Sequence, residues 1–167
     1  MKRKEIFSIC FCLLIIIGLN LNFYFYQNIV HPVNLIMDNL DAITGNSDTI
    51  VIQSHLDEVK KYFVLVISDL PEYDKNPVWI YPTESTDFLR MQSDVNSMVV
   101  NAENISYIPK DAAAYQTGIA DINERALLVK TNLIDAKGFL YASGTNVFFT
   151  LIWLIGAVGF TKIWIKK

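Results

Sequence analysis

Side chains able to do acid–base, metal or nucleophilic chemistry are sparse in this sequence, and their spacing does not favour it. His31 and His55 are its two histidines. Di-iron helical sites draw ligands from Glu-x-x-His pairs on facing helices; here Asn28 precedes His31 and Ile52 precedes His55 at that spacing. Two isolated histidines give no basis for a Ser-His-Asp set, and neither a phosphate loop nor a Gly-x-Gly-x-x-Gly fingerprint occurs. Asp121 and Glu124 sit beside Arg125 at helical spacing, the pattern of a solvated, salt-bridged face. Cys10 and Cys12 fall inside an apolar run, where soft packing is the simplest role. Ile9, in place of a small residue, argues against Cys10 as a lipoprotein acceptor. The expectation is therefore a non-enzyme with no catalytic residue, no metal site and no cofactor.

Residues suited to recognition are better represented. Pro77-Val78-Trp79-Ile80-Tyr81-Pro82 is a stiff aromatic segment of the kind interfaces favour. Trp79, Ile80 and Tyr81 are thus a candidate interface, with closure of the membrane-side end of a helical core as the competing role. Asn20, Gly156 and Gly159 lie in long apolar runs, where small and polar residues let membrane helices approach and hydrogen-bond. Asn104-Ile105-Ser106 fits the N-glycosylation acceptor pattern.

The elements that would position these residues begin with two apolar runs at the ends of the 167-residue chain. Residues 6–27 and 146–165 each approach or exceed the roughly 20 residues that span a bilayer as helix. Lys2, Arg3 and Lys4 flank the first, and Lys162, Lys166 and Lys167 close the second. Short basic flanks stay cytoplasmic, so residues 1–5 and 166–167 are expected inside and residues 28–145 outside, at a plasma membrane. A cleaved signal peptide competes for the first run, but Asn20-Leu21-Asn22-Phe23-Tyr24-Phe25-Tyr26 offers no small-x-small cleavage site.

The region between the runs holds 16 Asp and Glu against 8 Lys and Arg, and no cysteine. An acidic surface of this kind argues against nucleic acid and anionic head groups as partners. Apolar residues recur there at steps of three and four, one stripe of a helix each time. Val33, Ile36, Leu40 and Ile43 predict a helix over 32–44; Ile52, Leu56, Val59, Phe63, Val66 and Leu70 predict one over 47–70. Phe88, Met91, Val95, Met98, Ala102 and Ile105 mark 85–105, and Tyr115, Ile119, Ile122, Ala126, Val129, Leu133, Ala136 and Leu140 mark 111–143. Asp57 and Lys61 have the spacing of a supporting ion pair. Gly45-Asn46-Ser47, Pro71 and Pro109-Lys110-Asp111 punctuate the stripes, with Asp87 and Asp111 placed as N-caps and Pro32 at the start of the first.

Short connections make neighbouring helices antiparallel. The predicted architecture is all-α: an up-down four-helix bundle between two transmembrane helices. At 1.5 Å per residue the first bundle helix climbs about 20 Å and the second about 35 Å, which returns the Trp79 loop to the bilayer. The longer fourth helix calls for a tilt or kink near Gly138 or Gly144.

This layout, over residues 6–165, is similar to the extracytoplasmic sensing part of four-helix-bundle chemotaxis receptors. Those receptors continue into a long cytoplasmic signalling region, whereas this sequence ends at Lys167. The expected function is that of an accessory or interaction subunit in the lipid bilayer, serving a membrane protein partner or a second copy of itself. The alternative is a module that captures a small solute between helices, with inward polar groups such as Arg90 or Gln116, and signals through a partner.

Overall fold

The computed structural model describes residues 3–69, 83–138, 140 and 144–165. All regular elements among them are helical: α1 (Arg3–Phe25), α2 (His31–Ile43), α3 (Thr49–Asp69), α4 (Phe88–Ser106), α5 (Ala113–Lys137) and α6 (Gly144–Ile165).

A π-helical turn, Tyr26–Val30, joins α1 directly to α2, so one helical rod runs from Arg3 to Ile43. At 1.5 Å per residue it is about 60 Å long. Proline explains the wide turn. Pro32 sits in the first turn of α2 and has no N–H, and a prolyl ring inside an α-helix clashes with the carbonyl four residues back, here that of Asn28. Widening the turn moves that carbonyl aside, and the His31 N–H bonds the Tyr26 carbonyl, five residues back. Pro32 thus falls in the first turn of α2, where the sequence places the start of that helix.

α2 ends where Gly45 takes φ 135, a left-handed conformation open to a residue without Cβ. Asn46 and Asp48 then cap the next helix, their side-chain oxygens accepting from the N–H groups of Asp48 (3.1 Å) and Ile50 (3.0 Å). α4 is capped by Asp87, whose Oδ1 accepts from the Arg90 N–H at 2.9 Å. A capping box of Thr83 and Thr86 precedes it. Asp111 does not cap α5: that helix starts two residues later, with Ala112 at the cap position and no side-chain bond there. Backbone bonds close this turn instead, from Ala112 N–H to the Pro109 carbonyl and from Tyr115 N–H to the Ala112 carbonyl.

Every predicted stripe residue among the described positions is buried, from Val33 to Leu140. Leu70 lies outside the described residues. The stripes merge into a single core in which α2 packs on α3, α3 on α4, α4 on α5, and α5 back on α2. Fully burying a side chain such as Leu56, Phe63 or Ile122 is worth about 1.5–3 kcal/mol relative to exposure. Packing, more than propensity, thus holds these helices.

α5 ends at Lys137 with Gly138 as its cap, and α6 begins at Gly144. The helix thus ends at Gly138, one of the two places expected to bend, and residues 139 and 141–143 of the predicted run lie outside the described residues. Among the described residues, most large apolar side chains of α1 are exposed, including Leu13, Ile16, Leu19 and Phe23. Among the described residues, one helix, Ser8–Ile43 counted through the π turn, is long and apolar enough to cross a membrane. In α6 the apolar stretch counted over the described residues, Val147–Gly159, is shorter than a full span.

Candidate functional site

The α2–α3 and α4–α5 turns meet at the end of the molecule remote from α1. Tyr115, buried at the start of α5, donates its hydroxyl to the Ser47 carbonyl at 2.7 Å. Lys110 reaches Asp48 at 3.0 Å. The Lys110 hydrogen bond holds the Asp48 carboxyl below its ordinary pKa, aided by the Ile50 N–H, and Asp48 in turn raises Lys110. Further along, Lys130 pairs with Asp41 between α5 and α2. His55 Nδ1 lies 2.9 Å from Asn39 Oδ1, between α3 and α2. Each of these polar contacts ties one helix or turn to another, which is a positioning role.

The acidic patch on α5 behaves as its spacing implies. Asp121 accepts from Asn101 Nδ2 on α4 at 3.0 Å and pairs with Arg125 at 3.0 Å. Both members of the ion pair are exposed, where such pairs contribute little. Lys61 pairs with Glu58 at 2.9 Å rather than with Asp57, and Glu58 raises the Lys61 pKa. The i,i+3 neighbour satisfies this lysine as well as an i,i+4 one does. Among the described residues, no group of three or more His, Cys, Asp or Glu is placed to hold a metal ion.

Gln116 points outward, its Nε2 donating to the Lys110 carbonyl at 2.8 Å, and Arg90 is half-buried at the start of α4. Asn34 Oδ1, Asn123 Oδ1 and Asn132 Nδ2 are buried without a hydrogen-bond partner among the described residues. Asn123 and Asn132 fall on opposite flanks of α5 at about 100° per residue, so the three do not converge. Asn104 is exposed at the end of α4, and the Ser106 hydroxyl donates to the Glu103 carbonyl at 2.7 Å.

Trp79, Ile80 and Tyr81 lie outside the described residues. Between the apolar helices, one contact is made by a tryptophan. Trp153 of α6 donates its indole N–H to the Leu14 carbonyl of α1 at 2.8 Å. Gly18 lies beneath the same indole: a Cβ there would come within 3.1 Å of Trp153 Cε2 and Nε1. Gly156 and Gly159 have no atom within 4 Å of an added Cβ, and Asn20 turns its amide back to the Ile16 carbonyl at 2.8 Å. The sequence signal for the actual pair was a glycine in one apolar run and a tryptophan well inside the other, away from the belt positions tryptophan prefers.

Beside this contact lies an open groove of ≈ 330 Å³ between α1 and α6. Ile15, Gly18 and Trp153 line one part, and Asn22, Phe149 and Thr150 line the other. Among known proteins, no family model, curated protein or solved structure matches this chain.

Proposed function

We propose that the chain is a two-pass membrane protein whose residues 28–145 form an antiparallel four-helix bundle outside the cell. In this reading α1 and α6 are the spans, both termini are cytoplasmic, and the bundle serves as an accessory or interaction subunit of a larger membrane assembly. It performs no catalysis of its own.

The observation that carries the reading is the pairing of one filled apolar core with an uncovered apolar rod that is continuous with its first helix. Burial in lipid is the environment that satisfies the α1 surface, since Leu13, Ile16, Leu19 and Phe23 are each more than half exposed. Basic residues at the outer ends of both runs favour a cytoplasmic position for them. The short apolar part of α6 is compatible with a span if Lys162 extends its ammonium to the interface. Gln116 faces solvent and the unpartnered asparagines do not converge, which favours an interaction scaffold over solute capture between the helices.

Extraction in mild detergent from native membranes, followed by size analysis, tests the accessory role. Migration with a larger complex is the expected result. A lone 19.0 kDa chain in its detergent micelle contradicts it.

A further inference from the structure

We propose that the outward face of α4 receives the same face of a second copy of this chain, the two helices lying parallel about a twofold axis normal to the bilayer. The inference rests on the two-span reading given above, because anchoring in one membrane gives both copies the same orientation.

Charge singles out this face. The region between the apolar runs holds 16 Asp and Glu against 8 Lys and Arg, so two copies repel wherever their acidic surfaces meet. Exposed acids stand on the other three core helices: Asp38 and Asp41 on α2, Asp57 on α3, and Glu124 and Asp135 on α5. On α4 the exposed side chains Leu89, Ser93, Asn96, Val100, Asn104 and Tyr107 share one arc, about 100° wide at about 100° per residue, and none of them is charged. The three charged residues of α4 flank that arc. Arg90 and Asp94 are half-buried on the side where Asn101 donates to Asp121 of α5, and Glu103 lies at the opposite edge, toward α3.

Symmetry then selects the occupant. In a parallel twofold pair each residue near the axis meets its own counterpart, so a charged side chain there would face its like. A face able to pair with itself needs apolar groups, or groups that both donate and accept. Leu89, Val100 and Tyr107 are of the first kind, and Ser93, Asn96 and Asn104 are of the second. The steps from Leu89 to Ser93, Asn96 and Val100 are four, three and four residues, the spacing of a seam between parallel helices. Opposite edges face each other across such a seam, so Glu103 is not set against itself. A basic partner would instead choose the acidic surfaces of α2, α3 or α5.

From Leu89 to Tyr107 the face is about 27 Å long and about 10 Å wide. That is about a third of the roughly 800 Å² per partner that a standard interface buries. Confinement of both copies to one bilayer, which raises their effective concentration, is therefore part of the pairing. Tyr107, almost fully exposed, supplies an aromatic group of the kind that dominates contact energy.

The test uses the full chain in its native membrane, with Cys10→Ser and Cys12→Ser and one new cysteine at a time, under mild oxidation. Ser93→Cys and Val100→Cys are expected to form a disulfide-linked dimer at least about tenfold faster than Asp38→Cys, Asp57→Cys or Glu124→Cys. Asn96 is exposed, so Asn96→Asp leaves the core untouched. It should slow the Val100→Cys cross-link by about tenfold or more, because it sets like charges across the axis. Co-expression of Asn96→Asp and Asn96→Lys chains, both carrying Val100→Cys, should restore the link, which requires two copies in register at residue 96. Equal rates at every position, or the fastest rate on α2, α3 or α5, overturn the proposal. So does failure of the opposite charges to restore the link, or a benzophenone maleimide at Val100→Cys that captures a different protein in place of a second copy. Membrane-impermeant labelling of Tyr107→Cys on intact cells reads the anchoring separately. Labelling from outside with uniform cross-linking removes the α4 interface alone, whereas protection of Tyr107→Cys removes the two-span reading beneath it.

Discussion

Gly118 and Asp48 show how much individual atoms constrain the joined turns. A Cβ at Gly118 would lie 2.5 Å from Ile105 Cγ2. That methyl is held close to the backbone of α4 and cannot swing away as the end of a long chain can. Gly118→Ala gains up to about 1 kcal/mol of helix propensity, yet overpacking costs about 1–3 kcal/mol. Net destabilisation is therefore expected, visible as a lower urea midpoint with an unchanged slope. Asp48 and Lys110 give a pH signature. The Asp48 pKa is lowered by folding, so its contribution is present above the usual carboxylate range and is lost as pH falls through the depressed value. The Lys110 pKa is raised, so its contribution is present below the usual lysine range and is lost as pH rises through the elevated value. The pair therefore tightens the turns between those ranges and at neither extreme. Asp48→Asn should flatten the pH dependence of amide exchange at Ile50 and Ser47, and added salt should weaken the wild-type effect. An unchanged exchange profile in the variant would contradict this.

Among the elements, helix existence and core composition were readable because they depend on one periodic signal. Each stripe residue from Val33 to Leu140 that falls among the described positions is buried. Helix ends were less readable, since they depend on local competition. Asp111 lost the cap position to a turn closed by the backbone around Pro109, and Asp57 lost Lys61 to Glu58. The α1–α6 contact was not legible from small residues in general. Gly18, Gly156 and Gly159 look alike in sequence, and only the rotational phase of the two helices puts Gly18 beneath Trp153. A π turn, whose wide geometry absorbs one residue more than an α turn, lies between that contact and the core, so it can set the phase of α1. Deleting Gln27 should let the turn close while α1 keeps its orientation relative to α2. Inserting an alanine after Gln27 should rotate α1 by about 100°. A disulfide between Gly18→Cys and Trp153→Cys, made with Cys10→Ser and Cys12→Ser, should form in the parent and the deletion but fail in the insertion. Equal cross-linking in all three would show that the turn does not set the phase.

At the scale of the whole molecule, the rod from Arg3 to Ile43 ties a largely exposed apolar surface to a single buried core. Motion of α1 in a membrane would be delivered to α2 without an intervening loop, while α6 connects to α5 across a break after Lys137. In the proposed two-span arrangement this asymmetry would make α1 the mechanical link between membrane and helical core, with the turns at Gly45 and Tyr107 the most distant points from the bilayer. Tyr107 is 88% exposed there, which makes it the natural reporter of sidedness. The decisive measurement is labelling by a membrane-impermeant maleimide on intact cells, in a Cys10→Ser and Cys12→Ser background. Tyr107→Cys is expected to be labelled at once, while Lys2→Cys and Lys167→Cys react only after the membrane is permeabilised. Labelling of either terminal cysteine on intact cells, with Tyr107→Cys protected, would contradict it.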